Sequence, residues 1–134
     1  MVQSGINKKS AAKIGTSVIC NISNKDVLNI SKNENKTRSK VAMRYSSKEV
    51  DDGIVVIGNA PTALHELVNM IKEGVARPLL VVGIPVGFVS AEESKLELSK
   101  TNIEFITNIG RKGGSPAASS IINALMLMYI NNLD

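Results

Sequence analysis

Along the chain, short unbroken apolar runs alternate with longer stretches whose apolar positions recur at helical spacing, and glycine or proline stands at most junctions. Ile54-Val55-Val56-Ile57, bracketed by Gly53 and Gly58, is apolar at every position and so reads as a strand buried on both faces. Pro61 follows at a place suited to the first turn of a helix. Leu64, Leu67, Val68 and Ile71 then fall at i, i+3, i+4 and i+7, one face of an amphipathic helix, with Gly74 as its stop. Pro78 introduces a second continuous apolar strand, Leu79 to Ile84. Ser90 and Glu93 have the spacing of a capping box, which predicts a helix from Ala91 onward. Ile103 to Thr107 reads as a shorter strand, and Ser115-Pro116 opens a last helix carrying Ile121, Ile122, Leu125 and Met128. In the first half, Thr16 to Ile22 reads as a strand, Ser23 to Lys36 as a polar loop with a short helix, and Thr37 to Val50 as a helix.

Apolar strands alternating with helices predict an α/β fold: a parallel sheet flanked by helices, three layers in all and Rossmann-like, forming a single domain over residues 1–134. Each glycine-rich segment follows a strand: Gly58 to Thr62, Pro85 to Phe88, and Gly110 to Ser115. In a parallel sheet those positions gather at the carboxyl edge, where such folds bind ligands. Each also leads into a helix N-terminus, whose free N–H groups and dipole favour anions. The pattern therefore predicts a small anionic ligand held by three loops.

Composition narrows the partners. The net charge is +4, and Lys8, Lys9, Lys13, Lys32, Lys36, Arg38, Lys40 and Arg44 all lie in the first half. Excess positive charge suits nucleic acid, a membrane surface or an anionic small molecule. With two Phe, two Tyr and no Trp, a base-stacking platform is not expected, so nucleic acid is set aside. No apolar stretch approaches the roughly 18 residues of a membrane helix, and the first residues lack the apolar run of a signal peptide. A cytoplasmic setting is expected. Cys20 alone forms neither an intramolecular disulfide nor a thiolate cluster, and within Val18-Ile19-Cys20 it reads as a small buried hydrophobe.

Candidate chemistry is sparse. Gly110-Arg111-Lys112-Gly113-Gly114-Ser115 combines backbone access with charge, yet lacks the G-x-x-x-x-G-K-[ST] pattern of a phosphate loop; an ordinary glycine-rich connection is the plain reading. Gly58-Asn59-Ala60-Pro61-Thr62 is equally consistent with a tight turn before a helix. Glu92 and Glu93 complement a helix dipole, and Lys95 faces either solvent or the ligand edge. His65, the only histidine, flanks an apolar stripe and reads as structural. No metal set and no Ser-His-Asp set is visible.

Taken together these loops resemble the precorrin-8X methylmutase family. The segments that carry the likeness are Gly58 to Leu64, Gly83 to Val89 with Glu93-Ser94-Lys95, Gly110 to Ser115 with Asn123-Ala124-Leu125, Thr37-Arg38-Ser39, and the opening Met1-Val2 with Gly5-Ile6. They run the length of the chain in order.

The resemblance implies an isomerase of corrin biosynthesis. Such enzymes move a methyl group from C-11 to C-12 of precorrin-8X, or of its cobalt form, in a formal [1,5]-sigmatropic shift that gives hydrogenobyrinic (or cobyrinic) acid. No cofactor is required, the fold is a homodimeric α/β domain, and the substrate is a tetrapyrrole with peripheral carboxylates. Arg38, Asn59, Thr62, Gly87, Phe88, Lys95, Arg111, Lys112, Gly113, Gly114 and Ser115 become the expected substrate-binding residues. The family's catalytic histidine belongs to an N-terminal segment, roughly a third of the chain, that precedes the position matched by Met1. The chain is therefore expected to be N-terminally truncated, its catalytic residue is left unknown, and the role is not moved to His65. A corrinoid-binding fragment without catalysis is the alternative.

Overall fold

Three parallel strands, β1 (Ile54–Ile57), β2 (Leu80–Gly83) and β3 (Phe105–Thr107), lie side by side in that order in the computed structural model, which describes residues 1–133. Val55 pairs with Val81 and Val81 with Phe105, so one register runs straight across the sheet. The apolar runs Ile54–Ile57, Leu79–Ile84 and Ile103–Thr107 hold these strands, the last two trimmed, but β1 is not buried on both faces as expected: Ile54 is half exposed.

Helices α6 (Pro61–Lys72) and α7 (Ala91–Ser99) follow β1 and β2, and α8 (Ser115–Asn131) follows β3. The predicted stripe of α6 is its buried face: Leu64 and Leu67 are fully covered and pack with Ile57, Val81 and Leu98 in the main core. Gly74, with φ +76°, ends this helix in a Schellman turn, its N–H donating to Ile71 O and that of Val75 to Met70 O. Helix α8 lies against β1 and β2, so helices flank the sheet on both sides.

The first half is helical. Helices α1 (Val2–Gly5) and α2 (Lys8–Ile14) pack on α8, while α3 (Lys25–Asn33) packs on α4 (Arg38–Tyr45) through Val27, Val41 and Ala42. Asn123 of α8 anchors the α1–α2 turn, accepting from Asn7 N–H at 2.8 Å and donating to Gly5 O at 2.9 Å. Helix α4 is fixed to α6 by Glu66, a buried carboxylate that accepts from Arg44 Nε and lies 3.6 Å from Lys40 Nζ.

Four further expectations are corrected. Thr16 to Ile22 is not a strand: it has no strand partner among the described residues, and its Val18 carbonyl accepts from Gln3 Nε2. Cys20 in that stretch is exposed, not buried. Thr37 to Val50 is not one helix, because Ser46, whose Oγ donates to Ala42 O, separates α4 from the single turn α5 (Ser47–Val50). Ser90 precedes α7 but forms no capping box: its φ is +67° and its side chain makes no cap hydrogen bond.

Candidate functional site

At the carboxyl edge of the sheet the three glycine-rich loops touch one another. Gly58, leaving β1, sits where an added Cβ would come 2.9 Å from Gly114 O and from Ser115 N at the start of α8. Gly113 lies so close against the carbonyls of Ile84 and Pro85 that a side chain there would overlap them. Gly114 continues this contact by donating its N–H to Ile84 O at 3.0 Å. Gly87 N–H donates to Arg111 O at 3.2 Å, which joins the loop after β2 to the loop after β3. The sequence-level grouping of these loops thus corresponds to real contacts.

A hydroxyl cluster brings the first half of the chain to the same edge. Thr37 caps α4 by accepting from Lys40 N–H, and Ser39 Oγ lies 2.6 Å from Thr62 Oγ1 on the first turn of α6. Arg38, between them in sequence, is exposed at the N-terminal end of α4. The sequence names Arg38 and Thr62 as expected binding residues, and Thr37 and Ser39 only as parts of the matching Thr37-Arg38-Ser39 segment at a helix start.

Around these contacts the surface is both apolar and cationic. Phe88 is 86% exposed and Ile109 94% exposed, with Val86 and Val89 beside Phe88 in the same loop. The Arg111 guanidinium lies 5.9 Å from the Phe88 ring centre, a cation–π arrangement that keeps charge and ring together. Asn59, Arg111 and Lys112 are exposed, and Gly87 and Thr62 half-buried. Lys95, expected at the ligand, is placed differently: it is buried, and its ammonium donates to Gly110 O at 2.8 Å and Lys112 O at 2.6 Å. Burial lowers its pKa, and the nearby Glu92 charge opposes that shift. Ser115 Oγ is buried without a hydrogen-bond partner, as is Asn108 Oδ1, while Asn108 Nδ2 donates to Lys112 O at 2.9 Å.

His65 is half-buried on α6 and makes no side-chain hydrogen bond among the described residues. Two surface cavities lie elsewhere. One of about 380 Å³ is lined by Lys72, Arg77 and Lys100, and one of about 250 Å³ opens between α3, α4 and α6. Among the described residues no group of His, Cys, Asp or Glu is arranged to hold a metal ion, and no helix is long and apolar enough to cross a membrane. What the loop edge offers chemically is orientation and charge: backbone donors, the exposed cations Arg38, Arg111 and Lys112, and an apolar surface.

The family model described as precorrin-8X methylmutase matches residues 1–128. The cobalt-precorrin-8 methylmutase of Priestia megaterium is 53% identical over 128 residues, covering 96% of this chain and 57% of that protein. That of Methanocaldococcus jannaschii is 49% identical, over 86% of this chain and 54% of the relative. The precorrin-8X methylmutase of Pseudomonas aeruginosa is 39% identical, over 93% and 61%. The crystal structure of a precorrin-8x methyl mutase from Thermus thermophilus superposes with a TM-score of 0.88 at 34% identity, covering 98% of this chain and 64% of that one. The chain thus spans little more than half the length of the curated relatives it matches.

Proposed function

The chain belongs to the precorrin-8X methylmutase family, and from that membership we propose that it serves the migration of a methyl group from C-11 to C-12 of precorrin-8X or cobalt-precorrin-8. The observation that carries this reading is the convergence of Arg38, Thr62, Arg111, Lys112, Gly113 and Ser115 on one sheet edge beside the exposed ring of Phe88. A corrin precursor is a flat apolar macrocycle rimmed with carboxylates. Arg38, Arg111 and Lys112 suit the carboxylates, through charge-assisted hydrogen bonds. Val86 and Phe88 suit the ring face.

The reaction breaks one carbon–carbon bond and forms another with no net redox change. The protein then has to orient the macrocycle and supply a proton at the ring. The residues of this chain do the first. We place the proton donor in the part of the family fold that these 134 residues do not contain, and leave His65 out of the site. We also place the protein in the cytoplasm, as a homodimer that binds no nucleic acid. A charge-free α8 with Leu127, Met128 and Tyr129 at least half exposed supports a covered outer face.

The test is to offer precorrin-8X and its cobalt form to residues 1–134 alone and to the same residues joined to the remaining part of the Priestia megaterium relative. The visible spectrum is followed in each case. Turnover by the joined protein, surviving His65→Ala, is the expected result. Loss of that turnover in His65→Ala would put His65 in the site, and no turnover or corrinoid binding by either protein would overturn the reading.

A further inference from the structure

Lys95 is 2% exposed, and its only hydrogen-bond partners among the described residues are the carbonyls of Gly110 and Lys112. No carboxylate lies within ion-pair distance of it among the described residues. A buried ammonium is costly unless hydrogen bonds satisfy it, so these two carbonyls are held firmly toward α7. The peptide unit is planar and trans, so the C=O of one residue and the N–H of the next point in opposite directions. Drawing Gly110 O and Lys112 O onto Lys95 therefore turns Arg111 N–H and Gly113 N–H away from α7.

Neither of those N–H groups has an acceptor among the described residues. The intervening Arg111 carbonyl is occupied by Gly87 N–H. Gly110, with φ +93°, permits the turn, and Gly113 is locked by its contact with Ile84 and Pro85. Paired backbone N–H groups of this kind form concavities that take anions.

We propose that Lys95 is a positioning residue that presents Arg111 N–H and Gly113 N–H as a two-donor seat for one carboxylate. This rests on the reading that these loops receive the carboxylates of a corrin precursor. It assigns Lys95 a place behind the loop and not at the ligand. It also explains why a cation is kept in a buried position where an apolar residue would pack.

The experiment is a backbone amide NMR titration of residues 1–134 with two probes, sodium acetate and hydrogenobyrinic acid. Wild type, Lys95→Met and Lys95→Arg are compared, with Val27→Ala as a control for destabilisation far from the loop. Both probes are expected to shift the Arg111 and Gly113 amides of the wild type. In Lys95→Met the chemical shifts of those amides move before any probe is added, because the peptide units are no longer held, and affinity for hydrogenobyrinic acid falls roughly tenfold. Lys95→Arg restores most of both effects, and Val27→Ala leaves the loop signals in place. If Lys95→Met does not fold, Lys95→Gln is read in the same way. Unchanged loop amides in Lys95→Met, or hydrogenobyrinic acid that binds without moving them, overturn the seat while sparing the family reading. Acetate that moves the two amides only when Lys95 is present, with no binding of hydrogenobyrinic acid, keeps the seat and removes the corrin.

Discussion

A Cβ built on Gly58 would lie 2.6 Å from Ser115 Cα, so the end of β1 and the first turn of α8 meet backbone to backbone. A side chain at Gly58 has no flexible neighbour to displace. Gly58→Ala is expected to cost about 1–3 kcal/mol, the usual range for overpacking, and to disturb the Gly113–Ser115 loop. Urea unfolding measures the first effect and amide chemical shifts the second. Wild-type values in both would mean that α8 can retreat from the strand without loss.

Glu66 bridges α6 to α4 from a buried position, with Arg44 and Lys40 as its partners. Arg44 keeps a second partner in Glu73 at 3.0 Å, so removing Glu66 does not strand the guanidinium. Glu66→Ala should therefore destabilise by about 1.5–3 kcal/mol, the worth of a charge-assisted hydrogen bond, and Glu66→Gln by less. Equal stability of Glu66→Ala and wild type in denaturant would show that apolar packing alone seats α4.

Glu97 is hydrogen-bonded by the ammonium groups of Lys72 and Lys100, which lower its pKa to about 2. A depressed carboxylate stabilises the fold above its unfolded pKa, and that contribution is lost as pH falls through the folded value. The window accordingly runs from the ordinary carboxylate range down to about 2. A carboxyl NMR titration should find the midpoint low in wild type, raised in Lys72→Ala, and raised by high salt because the pair faces solvent. A midpoint indifferent to salt and to Lys72 would contradict this.

Arg38 and Arg111 are exposed, so their truncation should leave thermal stability unchanged. Either Arg38→Ala or Arg111→Ala should weaken binding of hydrogenobyrinic acid roughly ten- to a hundredfold. Arg111→Ala also removes the cation above Phe88. Dissociation constants equal to wild type in both variants would move the site away from this edge.

The sheet and its three crossing helices were legible because the strands are unbroken apolar runs between glycines and prolines and the stripe of α6 recurs at helical spacing. The loop contacts were legible as glycines, since Gly58 and Gly113 stand where no side chain fits. Thr16 to Ile22 was misread for a definite reason. Its β-branched residues favour an extended chain, but a strand needs a neighbour, and propensity does not reveal whether one is present. Lys95 was left open between solvent and the ligand edge because a lysine at a helix start in sequence says nothing of whether its stem turns inward. Only the carbonyls of Gly110 and Lys112, fifteen and seventeen residues away, decide that.

Asn123 ties itself to Gly5 and Asn7 across separations of 118 and 116 residues. During synthesis, then, the sheet and α6 can assemble while the chain is still growing, but the first two helices have nothing to dock on until α8 emerges. Loops that wait on Ser115 wait with them. The helix that closes the loop cluster is also the one on which α1 and α2 dock, so a ribosome halted before α8 would release a chain with the cluster between α6 and the sheet formed and its ligand edge still open.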